Sequence, residues 1–152
     1  MDGVFSAVWS PLGDKLAFVG YEKGASDIYI YDINKKEHHN LTNDIYSDSE
    51  PCWSPDGNSI AFVSDRKNAF NKSTTTSQDM ISVDYESKDI YIIDVKTKSL
   101  NQVTRTAYNE DYPIFSNTEE SLFYVADSSG TWNLFKYDIT GRTTSIVTNL
   151  LT

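Results

Sequence analysis

The chain has 152 residues, a formal net charge of −9, and ten Tyr, seven Phe and three Trp. That length suits one ordinary domain around a single core, and the aromatics, with abundant Ile and Val, favour strands over a helical bundle. The negative charge repels phosphate backbones and anionic headgroups, which argues against nucleic acid and lipid surfaces as partners, and no apolar run approaches the roughly 20 residues of a membrane span.

The opening stretch MDGVFSAVWSP does not read as a signal peptide. From there apolar segments come in fours. The first set is AVWS, KLAFVG, DIYIYDI and HHNLT; the second is PCWS, SIAFVS, DIYIIDV and NQVT; the third is PIFS, SLFYVA, NLFKYDI and SIVT. Turn residues separate them at Pro11-Leu12-Gly13, Asp56-Gly57, Ser129-Gly130 and Gly141. Pro55-Asp56-Gly57 predicts a tight turn joining strands at Cys52–Ser54 and Ile60–Ser64. The third set carries FSNTEESLFYV in place of the WSPDG pattern, which weakens its turn and keeps its strand phase.

The spacing is regular. Trp9 to Trp53, Phe18 to Phe62, Ile90 to Leu134 and Thr104 to Thr148 each span 44 positions, whereas Asp27 to Asp89, Thr42 to Thr104 and Trp53 to Phe115 each span 62. The middle unit therefore holds an 18-residue insertion between Asp65 and Lys88. The insertion is rich in Ser, Thr and Asn through Thr76, and MISVDY (80–85) is a candidate extra strand. Four short strands recurring every ~40–45 residues mark β-propeller blades. The expected fold is all-β, a β-propeller with three four-stranded antiparallel blades per chain. Blade one covers about 4–42, blade two about 50–104 with its insertion within 66–87, and blade three about 112–152. The repeated aromatics Trp9, Trp53 and Phe115, and Tyr29, Tyr91 and Phe135, fill the space between stacked blades.

WSPDG followed by IAFVSDR, then DIYIID and a closing Val-Thr or Leu-Thr, resembles the TolB-like β-propeller repeat, which also occurs in the propellers of tricorn-type and prolyl-oligopeptidase-type peptidases. The resemblance implies a non-enzymatic propeller that docks other proteins, periplasmic if an export signal has been removed and cytoplasmic otherwise. It also implies that the links from fourth to first strand and from second to third strand share one face. Here those links are 43–51, 105–113 and 64–88, and they carry the candidate binding residues Tyr46, Asp48, Glu50, Arg66, Arg105, Tyr108, Glu110 and Asp111. Tyrosines among charges suit a protein or peptide ligand; a solvated acidic rim that serves solubility is the competing reading. Two other roles stay open: the gating propeller of a peptidase whose hydrolase domain lies elsewhere, and a small-molecule or sugar-binding channel.

No Gly-x-Ser-x-Gly elbow, zinc motif or phosphate-binding loop is present, so no catalytic residue, metal or cofactor is expected. His38 and His39 are adjacent, hence on opposite faces of a strand, and fall beside the outermost strand of their blade. Cys52 is the single cysteine and reads as a small buried residue beside Trp53. Asn40-Leu41-Thr42 and Asn71-Lys72-Ser73 match the glycosylation triplet, a common chance match. Three blades leave the first and third bare on one side. Thr42 to Trp53 and Thr104 to Phe115 span 11 positions, and Thr148 to Trp9 of a second copy would span 13. The resulting expectation is a homodimer that closes a six-bladed ring.

Overall fold

Alternating apolar residues bounded by Gly, Pro and Asx turns fold as strands throughout the computed structural model, which describes residues 1–66, 88–118 and 120–151. The MISVDY segment and the Asn71 triplet lie outside the described residues. Among the described residues there is no helix, hence none able to cross a membrane. The first sheet comprises β1 (Gly3–Trp9), β2 (Lys15–Glu22), β3 (Ala25–Asp32) and β4 (Glu37–Asn40). The second comprises β5 (Asp48–Trp53), β6 (Ser59–Ser64), β7 (Asp89–Asp94) and β8 (Leu100–Gln102). The third comprises β9 (Glu110–Phe115), β10 (Ser121–Ala126), β11 (Asn133–Asp138) and β12 (Thr143–Ile146). Each sheet is a four-stranded antiparallel meander with its strands in chain order, the form of a propeller blade.

The blades stack through two apolar clusters. In β6, Ile60 and Phe62 face the first blade while Ala61 and Val63 face the third, as the two-residue period of a strand requires. That strand is buried on both sides, which is why SIAFVS reads as a continuous apolar run. The first strand of each later blade packs into its predecessor, with β5 against β1, β2 and β3, and β9 against β5, β6 and β7. Each blade also repeats one cross-strand aromatic pair: Phe18 with Tyr29, Phe62 with Tyr91 and Tyr124 with Phe135, their ring centroids 5.4, 6.0 and 5.6 Å apart. Gly20 is needed beside the first pair, because a Cβ there would stand 2.6 Å from the Tyr29 ring.

Polar side chains fasten the blade ends. Thr42 and Thr148 donate to Asp27 and Asn133, both at 3.1 Å, and accept the N–H of Ile28 and Leu134. Thr104 likewise accepts the Ile90 N–H, and its hydroxyl lies 3.4 Å from Asp89, although its one hydrogen is better placed for Glu110. At the opposite end, Ser10, Ser54 and Ser116 accept the N–H of Lys15, Ser59 and Ser121. This serine survives in the third blade, where the Pro and Gly of the turn do not, so strand phase there is held by the hydroxyl.

Candidate functional site

The three first strands share a defect that the repeat pattern does not announce. Ser6, Glu50 and Tyr112 occupy one repeated position and have positive φ angles of 49°, 54° and 57°. Beside each, the ladder slips: Phe5 and Val8, Ser49 and Cys52, and Asp111 and Ile114 bracket the break. Each strand thus contains a β-bulge with a left-handed residue, a device that re-aims side chains at sheet edges and next to binding sites. Pro51 and Pro113 follow two of the bulges, where no ladder donor is required; a proline inside an apolar strand was the available sequence signal.

The bulges also revise the expected boundaries. Residues 48–51 and 110–113, read from the sequence as link, belong to β5 and β9, because the bulge lets pairing resume on its far side. In the second blade, Glu50 closes the gap to the third by accepting the Tyr112 N–H at its Oε2, 2.6 Å away. Burial raises the Glu50 carboxyl above its usual range, with the Tyr112 hydrogen bond opposing.

Side by side, the bulged strands line an open groove of about 710 Å³. Its walls are mostly apolar: Trp9, Pro11, Pro51, Cys52, Tyr112 and Ile114 contribute. Tyr112 is 68% exposed, Trp9 60% and Ile114 58%. The Glu50 carboxylate is the charged group in the lining. Cys52 is half-buried there, and burial pushes its thiol up, so it is a poor nucleophile.

Three of the eight candidate binding residues expected on the loop face lie inside the protein. Arg66, Asp48 and Glu110 are buried, at 4%, 0% and 0% exposure. Arg66 donates through one terminal nitrogen to both Asp48 oxygens, at 2.5 and 2.6 Å, and through the other to Asp44 at 2.9 Å. Its Nε–H reaches Ser64, and the guanidinium lies 5.2 to 5.5 Å from the ring centroids of Tyr46, Phe62 and Tyr91. With four of its five N–H donors engaged in these contacts and only 4% of its surface exposed, Arg66 is spent on internal pairing. Oxygens of Asp27, Asp44 and Asp48 lie within 4.8 Å of one another, a spacing that would suit a cation, but Arg66 already supplies the positive charge there.

Glu110 stands one repeat after Asp48 and has no arginine. It accepts from Thr104 at 3.0 Å and from Thr106. Burial pushes its carboxyl up to about 8, with Thr106 and Thr104 opposing and neighbouring Asp89 raising it further.

The other candidates are placed as follows. Glu50 lines the groove. Tyr46 is half-buried over Arg66, and Tyr108 is half-buried against the core between the second and third blades. Asp111 is half-buried and Arg105 exposed. His38 and His39 lie on β4, at the far edge of the first blade from the bulged strands. The groove therefore gathers one of the eight sequence candidates and several apolar residues read only as packing.

Comparison with known proteins agrees with this architecture. The family model described as the TolB beta propeller domain matches residues 2–71. Dipeptidyl-peptidase 5 of Porphyromonas gingivalis is 26% identical over 92% of this chain and 20% of its own length. The Tol-Pal system protein TolB of Alcanivorax borkumensis is 34% identical over 41% of this chain and 15% of its own. The chain thus spans about a fifth or less of the length of these curated relatives. The crystal structure of TolB from Acinetobacter baumannii superposes with a TM-score of 0.72 at 19% identity, covering 97% of this chain and 33% of that one, a likeness of fold. Residues 2–71 thus match a TolB-like β-propeller repeat, and the proteins that the chain resembles include both a Tol-Pal component and a peptidase.

Proposed function

We propose that this TolB-like propeller is a non-enzymatic interaction module that binds an extended protein or peptide segment in the groove of its bulged first strands. One observation carries the reading: three successive blades place a left-handed bulge at the same position, Ser6, Glu50 and Tyr112, and leave aromatic and apolar side chains exposed beside it. Exposed apolar surface arranged as a groove is a common feature of peptide-binding sites. The preferred ligand has an apolar or aromatic side chain for the Trp9–Tyr112–Ile114 surface and an amine or amide that donates to Glu50.

A random peptide display library panned against the whole chain tests this. Enriched peptides are expected to share an apolar residue next to a basic or amide one. Their affinity should fall about tenfold or more, ~1.4 kcal/mol, in Tyr112→Asn and Glu50→Gln. Asn is chosen because it tolerates the left-handed backbone at residue 112. Failure to enrich any peptide, or peptides that bind both variants as well as the parent, overturns the reading.

The similarity to dipeptidyl-peptidase 5 across most of the chain supports a second role for the same groove, as the substrate-admitting propeller of a larger peptidase. Under that role, short peptides with a free N-terminus compete with the panned ligands. Under the scaffold role, peptides blocked at the N-terminus bind equally well.

A further inference from the structure

A strand paired on one side only presents half of its main-chain groups to whatever lies on the other side. Among the described residues, β1, β5 and β9 each stand at the end of a sheet, bonded to β2, β6 and β10 respectively and to no second strand. The ladders fix which groups face outward. Ser10, Ser54 and Ser116 donate their N–H to the carbonyls of Lys15, Ser59 and Ser121, at 2.9, 2.9 and 2.8 Å. In an antiparallel pair such hydrogen-bonded residues alternate with residues whose N–H and C=O point away from the partner. Trp9, Trp53 and Phe115 are of the outward kind, and pairing runs unbroken back to Val8, Cys52 and Ile114. The same alternation turns the main chain outward two positions earlier, at Ala7, Pro51 and Pro113.

At this position the three strands differ. Proline removes the outward N–H from the second and third blades, whereas Ala7 keeps it in the first. Proline on an edge also hinders pairing with an added strand. In β9 the neighbouring donors are engaged as well, the Tyr112 N–H by Glu50 at 2.6 Å, while the Phe115 N–H faces the Cys52 thiol and lowers its pKa against the effect of burial. β1 has no such block. Ala7 is exposed, has no partner in the β2 ladder, and lines the groove. The strand Gly3–Trp9 holds neither a charged side chain nor a proline, the usual guards of an open edge. This open side is a strand edge, distinct from the sheet faces through which the blades stack.

We propose that the groove holds its ligand by strand addition: an extended peptide pairs its main chain with the free edge of β1, and one of its carbonyls accepts the Ala7 N–H. The pairing rests on the peptide-groove reading and adds to it the strand that the peptide joins and the donor that sets its register. The carbonyls of Ala7 and Trp9 point to the same side, so two peptide N–H groups, two residues apart, donate to them. Pro51 and Pro113 confine the pairing to β1. Main-chain bonds supply affinity for any extended segment, while the side chains of Glu50 and Tyr112 across the groove supply the preference among sequences. A peptide with proline at either donating residue is rejected, because it lacks the N–H.

The probes are the peptides enriched by panning against the whole chain, acetylated and amidated at their ends. They are titrated against the parent and against Ala7→Pro. That variant should fold, because Pro51 and Pro113 occupy the equivalent position after the same left-handed residue, and far-UV circular dichroism checks it. Without the outward N–H its affinity is expected to fall about tenfold or more. On the peptide side, amides are N-methylated one at a time, and binding to the parent should weaken at two residues separated by one tolerant residue. A groove that reads side chains alone would show no such alternation, and the scan decides the matter even where Ala7→Pro does not fold. Equal binding by folded Ala7→Pro, or a scan without the alternation, overturns strand pairing; the groove reading then survives if Tyr112→Asn and Glu50→Gln still lose affinity. If no peptide is enriched on the parent, both fall together.

Discussion

Asp48 and Glu110 open the first strands of the second and third blades at equivalent positions, and both are fully buried. The protein stabilises them by different chemistry. In the second blade the guanidinium of Arg66 supplies a compensating charge in a bidentate geometry, and Asp44 shares it. Burial still raises Asp48, to about 6, while Arg66 pulls the other way. In the third blade Asp44 is replaced by Thr106, the arginine position holds Ser128, and Glu110 keeps a proton near neutral pH beside Asp89. One repeat therefore solves the cost of a buried carboxylate with an ion pair, and its neighbour solves it with protonation and two hydroxyls. A repeated fold fixes where a polar group sits without fixing its charge.

The ion-pair solution is the easier to break. Arg66→Met keeps much of the side-chain volume and leaves Asp48 and Asp44 facing each other without a cation. Stability is expected to fall by about 3–5 kcal/mol, read as a lower urea midpoint; a loss under about 1 kcal/mol would show that protonation can replace the arginine. Next in size is the pH response of the third blade. Glu110 binds its proton more tightly folded, at about 8, than at its unperturbed 4.5. A raised carboxylate pKa means that the folded state retains a proton which the unfolded chain releases. Its contribution is therefore full below about pH 4.5 and declines until the pH passes about 8. At ~1.4 kcal/mol per unit, the loss from about pH 5 to 8 amounts to a few kcal/mol. Glu110→Gln, uncharged throughout, should flatten that slope in thermal unfolding, and an unchanged slope would place the titration elsewhere.

Much of the fold was legible because its determinants are local and periodic. The spacings of 44 and 62, the Phe–Tyr cross-strand pairs and the Asp–Thr clamps all come from residues that recur in phase. The site was harder to read for two physical reasons. The bulges depend on backbone conformation at Ser6, Glu50 and Tyr112, three unlike residues at which the sequence repeat vanishes while the geometry persists. The burial of Asp48, Arg66 and Glu110 depends on contacts between blades and loops, so three charged residues in apparent links looked solvated. A hint was present: Asp65 and Arg66 follow directly on the fully buried run Ile60–Ser64, where a charge requires a partner.

The smallest effect concerns the second carboxylate of the ion pair. Asp44 is 27% exposed and pairs with Arg66 at 2.9 Å, so solvent screens much of the attraction. Its Oδ1 also accepts the Tyr46 N–H, a bond that an asparagine carbonyl retains. The Asp44 charge meanwhile raises the neighbouring Asp48, which disfavours the ionised form that Arg66 needs. Removing it loses one weak attraction and relieves one repulsion, so Asp44→Asn should cost no more than about 0.5–1 kcal/mol. The same substitution should lower the folded pKa of Asp48 and thereby move its loss of stability, which begins above the ordinary 3.8 and ends near 6, into a narrower range. Unfolding midpoints from about pH 3 to 7, compared for Asp44→Asn and the parent, measure both consequences. A loss as large as that of Arg66→Met would mean that the two carboxylates share the guanidinium equally, and that the second blade relies on a triad where the geometry describes a dominant pair.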